Sequence, residues 1–168
     1  PWPSEEHLER LSENAAGSFI IASTLVKFIQ TEKDHPDDNL KKALNMTDGL
    51  DPVYCQVIST AVQENKTFQN KELHILDRVL AVICLAKDPL SVTAISVLLW
   101  REAHHIIQIL LGLQAILLIP EKDDNEPVRL FHTSLRDYLC SGKHSEELCI
   151  NMEQNHAMLA FRCLQLVV

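Results

Sequence analysis

From residue 73 onward the spacing of apolar residues changes period twice, and that order constrains the fold more than any other feature of the chain. Leu73, Leu76, Val79, Leu80 and Ile83 recur at helical spacing. Asp88-Pro89-Leu90-Ser91 then ends that helix and caps a second one beginning at Val92. Arg101 to Leu113 carries a third helical pattern. After it the period shortens. Ala115 to Pro120 and Val128 to Phe131 are both β-rich and are separated by the polar stretch Glu121 to Glu126. Two such runs around a polar turn predict an antiparallel hairpin.

Three helices followed by a hairpin is the order of a winged helix. The residues before it predict helices only. Pro3-Ser4 starts a helix with Glu5 and Glu6 in its first turn, running to about Glu13. Ala15-Ala16-Gly17-Ser18 interrupts, and Phe19 to Gln30 is then apolar on nearly every face, as in a helix buried in something larger. A loop at Asp34 to Asp38 starts a short helix ending near Met46, and Thr47 to Pro52 breaks the chain again. Val53 to Glu64 forms the next helix, with Tyr54, Val57, Ile58 and Ala61 as its apolar stripe. Asn65 to Asn70 is polar, lacks periodicity and marks a boundary. Beyond Lys143 a polar loop and a short apolar step at Cys149-Ile150 lead to a last amphipathic helix ending in Leu164 to Val168.

Composition agrees with a mainly helical, soluble chain. Only four of 168 residues are glycine, which argues against a β-rich or loop-rich fold. The most apolar stretch, Ile106 to Pro120, is interrupted by Gln108, Gly112 and Gln114 and reads as core rather than as a membrane span. Pro1 to Arg10 is polar and acidic, unlike a secretory signal, and the missing initial methionine points to a piece of a longer protein. A net charge of −8 disfavours nucleic acid and anionic membrane as partners. The helix at Arg101 to Leu110 carries one Arg and no Lys, and the turn that would form its wing is acidic, so DNA would be repelled. The five cysteines, Cys55, Cys84, Cys140, Cys149 and Cys163, show no C-x-x-C and read as buried free thiols in a cytosolic protein.

Catalytic and metal patterns are absent. No G-x-x-x-x-G-K-[ST] occurs, and no apolar run ends in paired acids to hold Mg²⁺, so the chain cannot cradle a triphosphate by itself. His104 and His105 are adjacent and point about 100° apart on a helix, a poor arrangement for one metal. Ser134 lies two residues after His132, but no Gly-x-Ser-x-Gly elbow surrounds it, and a helix N-cap is the simpler role. Arg136, Asp137 and the acidic face of Glu5, Glu6, Glu9 and Glu13 read as solvated helix residues.

The stretch Leu130-Phe131-His132-Thr133-Ser134-Leu135-Arg136-Asp137-Tyr138-Leu139 reads as a strand, a polar hinge and a short helix. It resembles the Phe-x-His-x-Ser-Phe-Gln-Glu-Phe-Leu motif in the winged helix of NACHT-type STAND NTPases, a family that includes animal NOD-like receptors and a large fungal group. Further similarities occur in the same order along the chain. They are Trp2-Pro3-Ser4, Ala15 to Ala22, Gly49-Leu50-Asp51-Pro52-Val53-Tyr54, Lys87-Asp88-Pro89-Leu90-Ser91 and His156-x-x-Leu159-Ala160-x-x-Cys163-Leu164. The chain departs from the pattern where Ala16 or Ser18 replaces a frequent second glycine, and at Leu135 and Arg136.

The resemblance implies a cytoplasmic regulatory fragment. Residues 1–66 would be the helical segment closing a nucleotide-binding domain, 67–143 the winged helix and 144–168 the start of a following helical domain. His132 would touch the β-phosphate of ADP and hold the closed state, with Gly17 and Phe19 near the adenine. ADP or ATP with Mg would be held by an upstream P-loop core of the same protein. A helical or repeat domain would follow, and nucleotide exchange would release an oligomerising surface. The residues alone allow blander roles: His132 bonded to nearby backbone, Phe19 in the core, and the whole chain a constitutive helical adaptor. With no phosphate loop, this chain should show no micromolar, magnesium-dependent ATP affinity by calorimetry; a saturable isotherm would contradict that.

Overall fold

The computed structural model describes residues 2–31, 35–46, 49–66, 73–120, 126–141 and 150–167, without the side chains of residues 64–66, 73 and 74. Described residues form a mainly helical protein with one two-stranded antiparallel sheet. The expected boundary at residues 67–70, the wing tip at 121–125 and the loop at 143–149 lie outside the described residues.

Helix α1 (Glu5–Ala15) starts as its sequence requires: Ser4 Oγ accepts from the His7 N–H at 3.3 Å, and Glu5 and Glu6 sit in the positive first turn. It ends on two left-handed residues, Ala16 (φ 47°) and Gly17 (φ 73°), and glycine takes that conformation without the cost a side chain brings. Helix α2 (Phe19–Ile29) follows. It is apolar all round in sequence but buries one face only, through Thr24, Leu25, Phe28 and Ile29, while Phe19 and Val26 face outward. Helix α3 (Pro36–Leu44) has Pro at its start. Arg10 and Asn14 of α1 both reach across to the Leu44 carbonyl at its last turn, and Asn14 also meets the Ala43 carbonyl, which accepts from the Met46 N–H as well. The Trp2 indole N–H donates to Asp37, fixing the other end of the same seam.

Helix α4 (Asp51–Lys66) buries the expected stripe of Tyr54, Val57, Ile58 and Ala61, joined by Val53 and Val62. Helix α5 (Leu73–Leu85) is more deeply enclosed than its pattern predicts. Besides Leu76, Val79 and Leu80 it buries Ala81, Val82 and Cys84, because α4, helix α6 (Val92–Leu99), helix α9 (Met152–Val167) and the strand at Arg129–Leu130 all pack on it. α6 (Val92–Leu99) is capped by Ser91, whose Oγ accepts from the Ala94 N–H at 3.2 Å. It ends at Trp100, left-handed at φ 54°, ψ 51°. α7 (Ala103–Leu111) then buries Ile106, Ile109 and Leu110.

Strands β1 (Leu117–Leu118) and β2 (Arg129–Leu130) pair antiparallel with Leu117 opposite Leu130. The hairpin is shorter than expected, because residues 112–116 stay in turns that hydrogen-bond back toward α7. A third segment joins its edge: Ser91 bridges Pro127, and the Val128 N–H donates to the Leu90 carbonyl at 2.9 Å. Helix α8 (Ser134–Cys140) follows. α9 (Met152–Val167) lies on α5 and α6, with Arg162 4.5 Å above the Trp100 ring. No helix among the described residues is long and apolar enough to cross a membrane.

The cysteine expectation needs correction. The four described cysteines are free, but only Cys84 is buried. Cys140 is half-buried, and Cys55 and Cys163 are exposed because they stand on the outward faces of α4 and α9. Burial pushes the Cys84 thiol up to about 12, with smaller opposing influences from Cys140, which raises it, and Arg136, which lowers it. The folded state therefore holds this proton more tightly than the unfolded state, whose thiol titrates at 9.0. That stabilisation is complete below pH 9.0 and is lost as pH rises through about 12. At pH 8 a maleimide should label Cys55 and Cys163 rapidly and Cys84 only on unfolding. Early labelling of Cys84 in a peptide map would refute its burial in the packing around α5.

Candidate functional site

Residues 131–133 turn the chain from β2 into α8. The Phe131 N–H donates to the Ile116 carbonyl at 3.1 Å, and the Leu135 N–H donates to the His132 carbonyl at 3.2 Å. α8 is anchored by Leu135, Tyr138 and Leu139, all buried, so the turn before it has little freedom. His132 is half-buried there. Its Nδ1 accepts from the Ser134 N–H at 3.2 Å and lies 2.7 Å from Ser134 Oγ. Its Nε2 has no hydrogen-bond partner among the described residues.

Ser134 does not cap α8 as expected. It is the first helical residue, and Thr133 occupies the cap position without a side-chain bond. The hydroxyl is drawn away by Tyr54, whose Oη is 2.9 Å from it, and by His132. Tyr54 comes from α4, and its ring also meets Tyr138 with centroids 5.4 Å apart at 59°. Burial raises the Tyr54 phenol above its ordinary value; the Ser134 bond lowers it and the Asp51 carboxylate raises it further.

A second contact crosses the same seam. Lys27, near the end of α2, places Nζ 3.7 Å from the centre of the Phe131 ring. Burial lowers the Lys27 ammonium below the usual lysine range. The hinge is thus gripped from two helices of residues 1–66, through Phe131 by α2 and through Ser134 by α4.

Phe19 is 85% exposed, which overturns its reading as a core residue. It opens α2 directly after the Gly17 turn, where nothing lies within 4 Å of a built Cβ, so Gly17 serves conformation rather than space. Phe19 and Lys27 lie on one helix, about 12 Å apart along its axis at 1.5 Å per residue. No hydrogen bond or ring contact among the described residues joins Gly17 or Phe19 to His132. His104 and His105 are both exposed, with ring centroids 4.0 Å apart. No group of three or more His, Cys, Asp or Glu among the described residues could hold a metal.

Sequence reasoning missed Tyr54 and Lys27 as site residues. Tyr54 counted only as one member of an apolar stripe, although a buried phenol hydroxyl demands a partner. Lys27 is the sole charged residue within Phe19 to Gln30, and that isolation was the available signal. No family model matches the chain, and comparison with curated proteins and with solved structures finds no match.

The cation–π contact can be isolated by a double-mutant cycle. Lys27→Met keeps most of the stem and removes the charge; Phe131→Leu removes the ring. Their coupling should be about 0.5–1 kcal/mol in denaturant unfolding, as for a partly solvated pair. Strict additivity would show that the contact contributes nothing.

Proposed function

We propose that this chain is a regulatory arm of a nucleotide-switched STAND NTPase of the NACHT type. Residues 1–66 form the helical segment that closes a nucleotide domain, 67–143 a winged helix, and 144–168 the start of a following helical domain. The observation that carries this reading is His132. It sits at the strand-to-helix hinge with one ring nitrogen engaged by Ser134 and the other without a partner among the described residues. An imidazole N–H so placed can donate to a phosphate oxygen. The order α5, α6, α7, β1, β2 supports the winged helix, and the Leu90–Ser91 edge against Pro127–Val128 adds the third strand position such a domain uses. The exposed Phe19 after the Gly17 turn supports an apolar face for adenine.

In this mechanism the nucleotide and its Mg belong to an upstream P-loop core of the same protein. His132 contacts the β-phosphate of ADP and stabilises the closed state. Exchange for ATP removes that differential contact and shifts the population toward an open form that self-associates. The compartment would be the cytoplasm, and neither nucleic acid nor membrane is a partner.

A second reading is favoured by the seam itself. Lys27–Phe131 and Tyr54–Ser134 tie the hinge to the lid helices, which suits a constitutive helical adaptor without nucleotide sensing. A phosphate-loop lysine upstream discriminates the two: its presence supports the switch and its absence the adaptor.

His132→Ala in the nucleotide-binding parent should speed ADP release. A charge-assisted bond contributes about 1.5–3 kcal/mol, or roughly one to two decades in the closed/open ratio. The melting temperature should fall far less. An unchanged ADP off-rate together with a large stability loss would leave His132 a purely structural residue.

A further inference from the structure

The donors and acceptors around His132 fix the direction of each hydrogen bond. The Ser134 backbone N–H can only donate, and it meets His132 Nδ1 at 3.2 Å. Nδ1 must therefore present a lone pair; a proton there would face the amide proton. In a neutral imidazole the ring proton then belongs to Nε2. Ser134 Oγ, 2.7 Å from the same Nδ1, must also donate to it. That uses its only proton, so in the 2.9 Å contact between Ser134 Oγ and Tyr54 Oη the phenol is the donor. Burial raises the phenol's pKa, which keeps that proton in place at neutral pH. The order is Tyr54 O–H to Ser134 Oγ–H to His132 Nδ1.

We propose that Ser134 and Tyr54 are positioning residues for His132, holding it as the Nε2–H tautomer so that it offers one N–H donor to its ligand. The choice of ligand rests on the function proposed above; the tautomer does not. An Nε2–H donor matches a phosphate oxygen. It cannot ligate a metal ion, which needs a bare nitrogen. The relay also starts on α4 and ends at the hinge of α8. Separation of these helices withdraws Tyr54 from Ser134 and frees the serine proton to rotate, so the donor that meets the phosphate is set by whether lid and hinge are docked.

The test is a long-range ¹H–¹⁵N correlation of the histidine side chains of this chain at mildly alkaline pH, where imidazoles are neutral. His132 is assigned by its loss in His132→Gln, and the exposed His156 serves as the unconstrained reference. In the wild type, His132 should show a bare Nδ1 and a protonated Nε2 without the averaging of His156. Ser134→Ala should raise the minor-tautomer fraction about five- to ten-fold, the effect of one net hydrogen bond. Ser134→Thr should restore the lock. Tyr54→Phe, which keeps the ring against Tyr138, should shift the spectrum in the same direction by less, and it serves as the second variant should Ser134→Ala fail to fold. A protonated Nδ1 in the wild type, or identical His132 spectra in wild type and Tyr54→Phe, overturns the proposal. Failure of the nucleotide reading looks different: the tautomer is locked, yet His132→Ala leaves ADP release unchanged. If both hold, Ser134→Ala should speed ADP release in the parent but add nothing once His132 is alanine.

Discussion

Leu76, Val79, Leu80, Ala81 and Val82 of α5 are fully withdrawn from water, and most of the remaining architecture is arranged around that burial. Each large aliphatic side chain so enclosed contributes roughly 1.5–3 kcal/mol. Neighbours arrive from both directions in the chain. α4 comes from before it, and α6, β2 and α9 from after it. The core is accordingly continuous from Leu25 to Ile150, and the contacts of residues 131–134 with α2 and α4 lie beside it.

Those smaller contacts are of a different kind. Lys27 over Phe131, Tyr54 to Ser134 and Tyr54 against Tyr138 are polar or aromatic, directional and individually weak. Aliphatic packing tolerates small slides, whereas a hydrogen bond is lost within a few tenths of an ångström. A seam built this way holds one alignment at modest total strength, which is what a reversible connection requires.

The helices were legible in the sequence because period and punctuation agreed. Ser4, Ser91 and Pro36 start helices where their chemistry predicts, and Ala16-Gly17 and Asp88-Pro89 separate them. The hairpin was legible in place and direction but not in length, since β-rich composition at Ala115-Ile116 lost to turns continuing from α7. His132 was visible as a polar residue between two apolar patterns. Its partners were not all visible. Ser134 was close in sequence but misread as a cap, and Tyr54, which meets Ser134, lies 80 residues from it. Helical periodicity says that Tyr54 faces inward; only the tertiary arrangement says which hydroxyl it meets. Exposure of Phe19, Cys55 and Cys163 was equally hidden, because side-chain type reports preference for burial and not the presence of a neighbour to provide it.

Trp100 helps to hold α9 against α6. A tryptophan in the left-handed region carries roughly 1–2 kcal/mol of local backbone strain. Its ring, over half exposed, carries the guanidinium of Arg162. Glycine at this corner would relax the backbone and remove the ring at once, so the two effects on folding free energy oppose each other. The indole is thus a local clasp whose loss global unfolding would scarcely register. Its proper gauge is how often α9 lifts away from α6, a motion read by amide exchange or by proteolysis near the end of the chain.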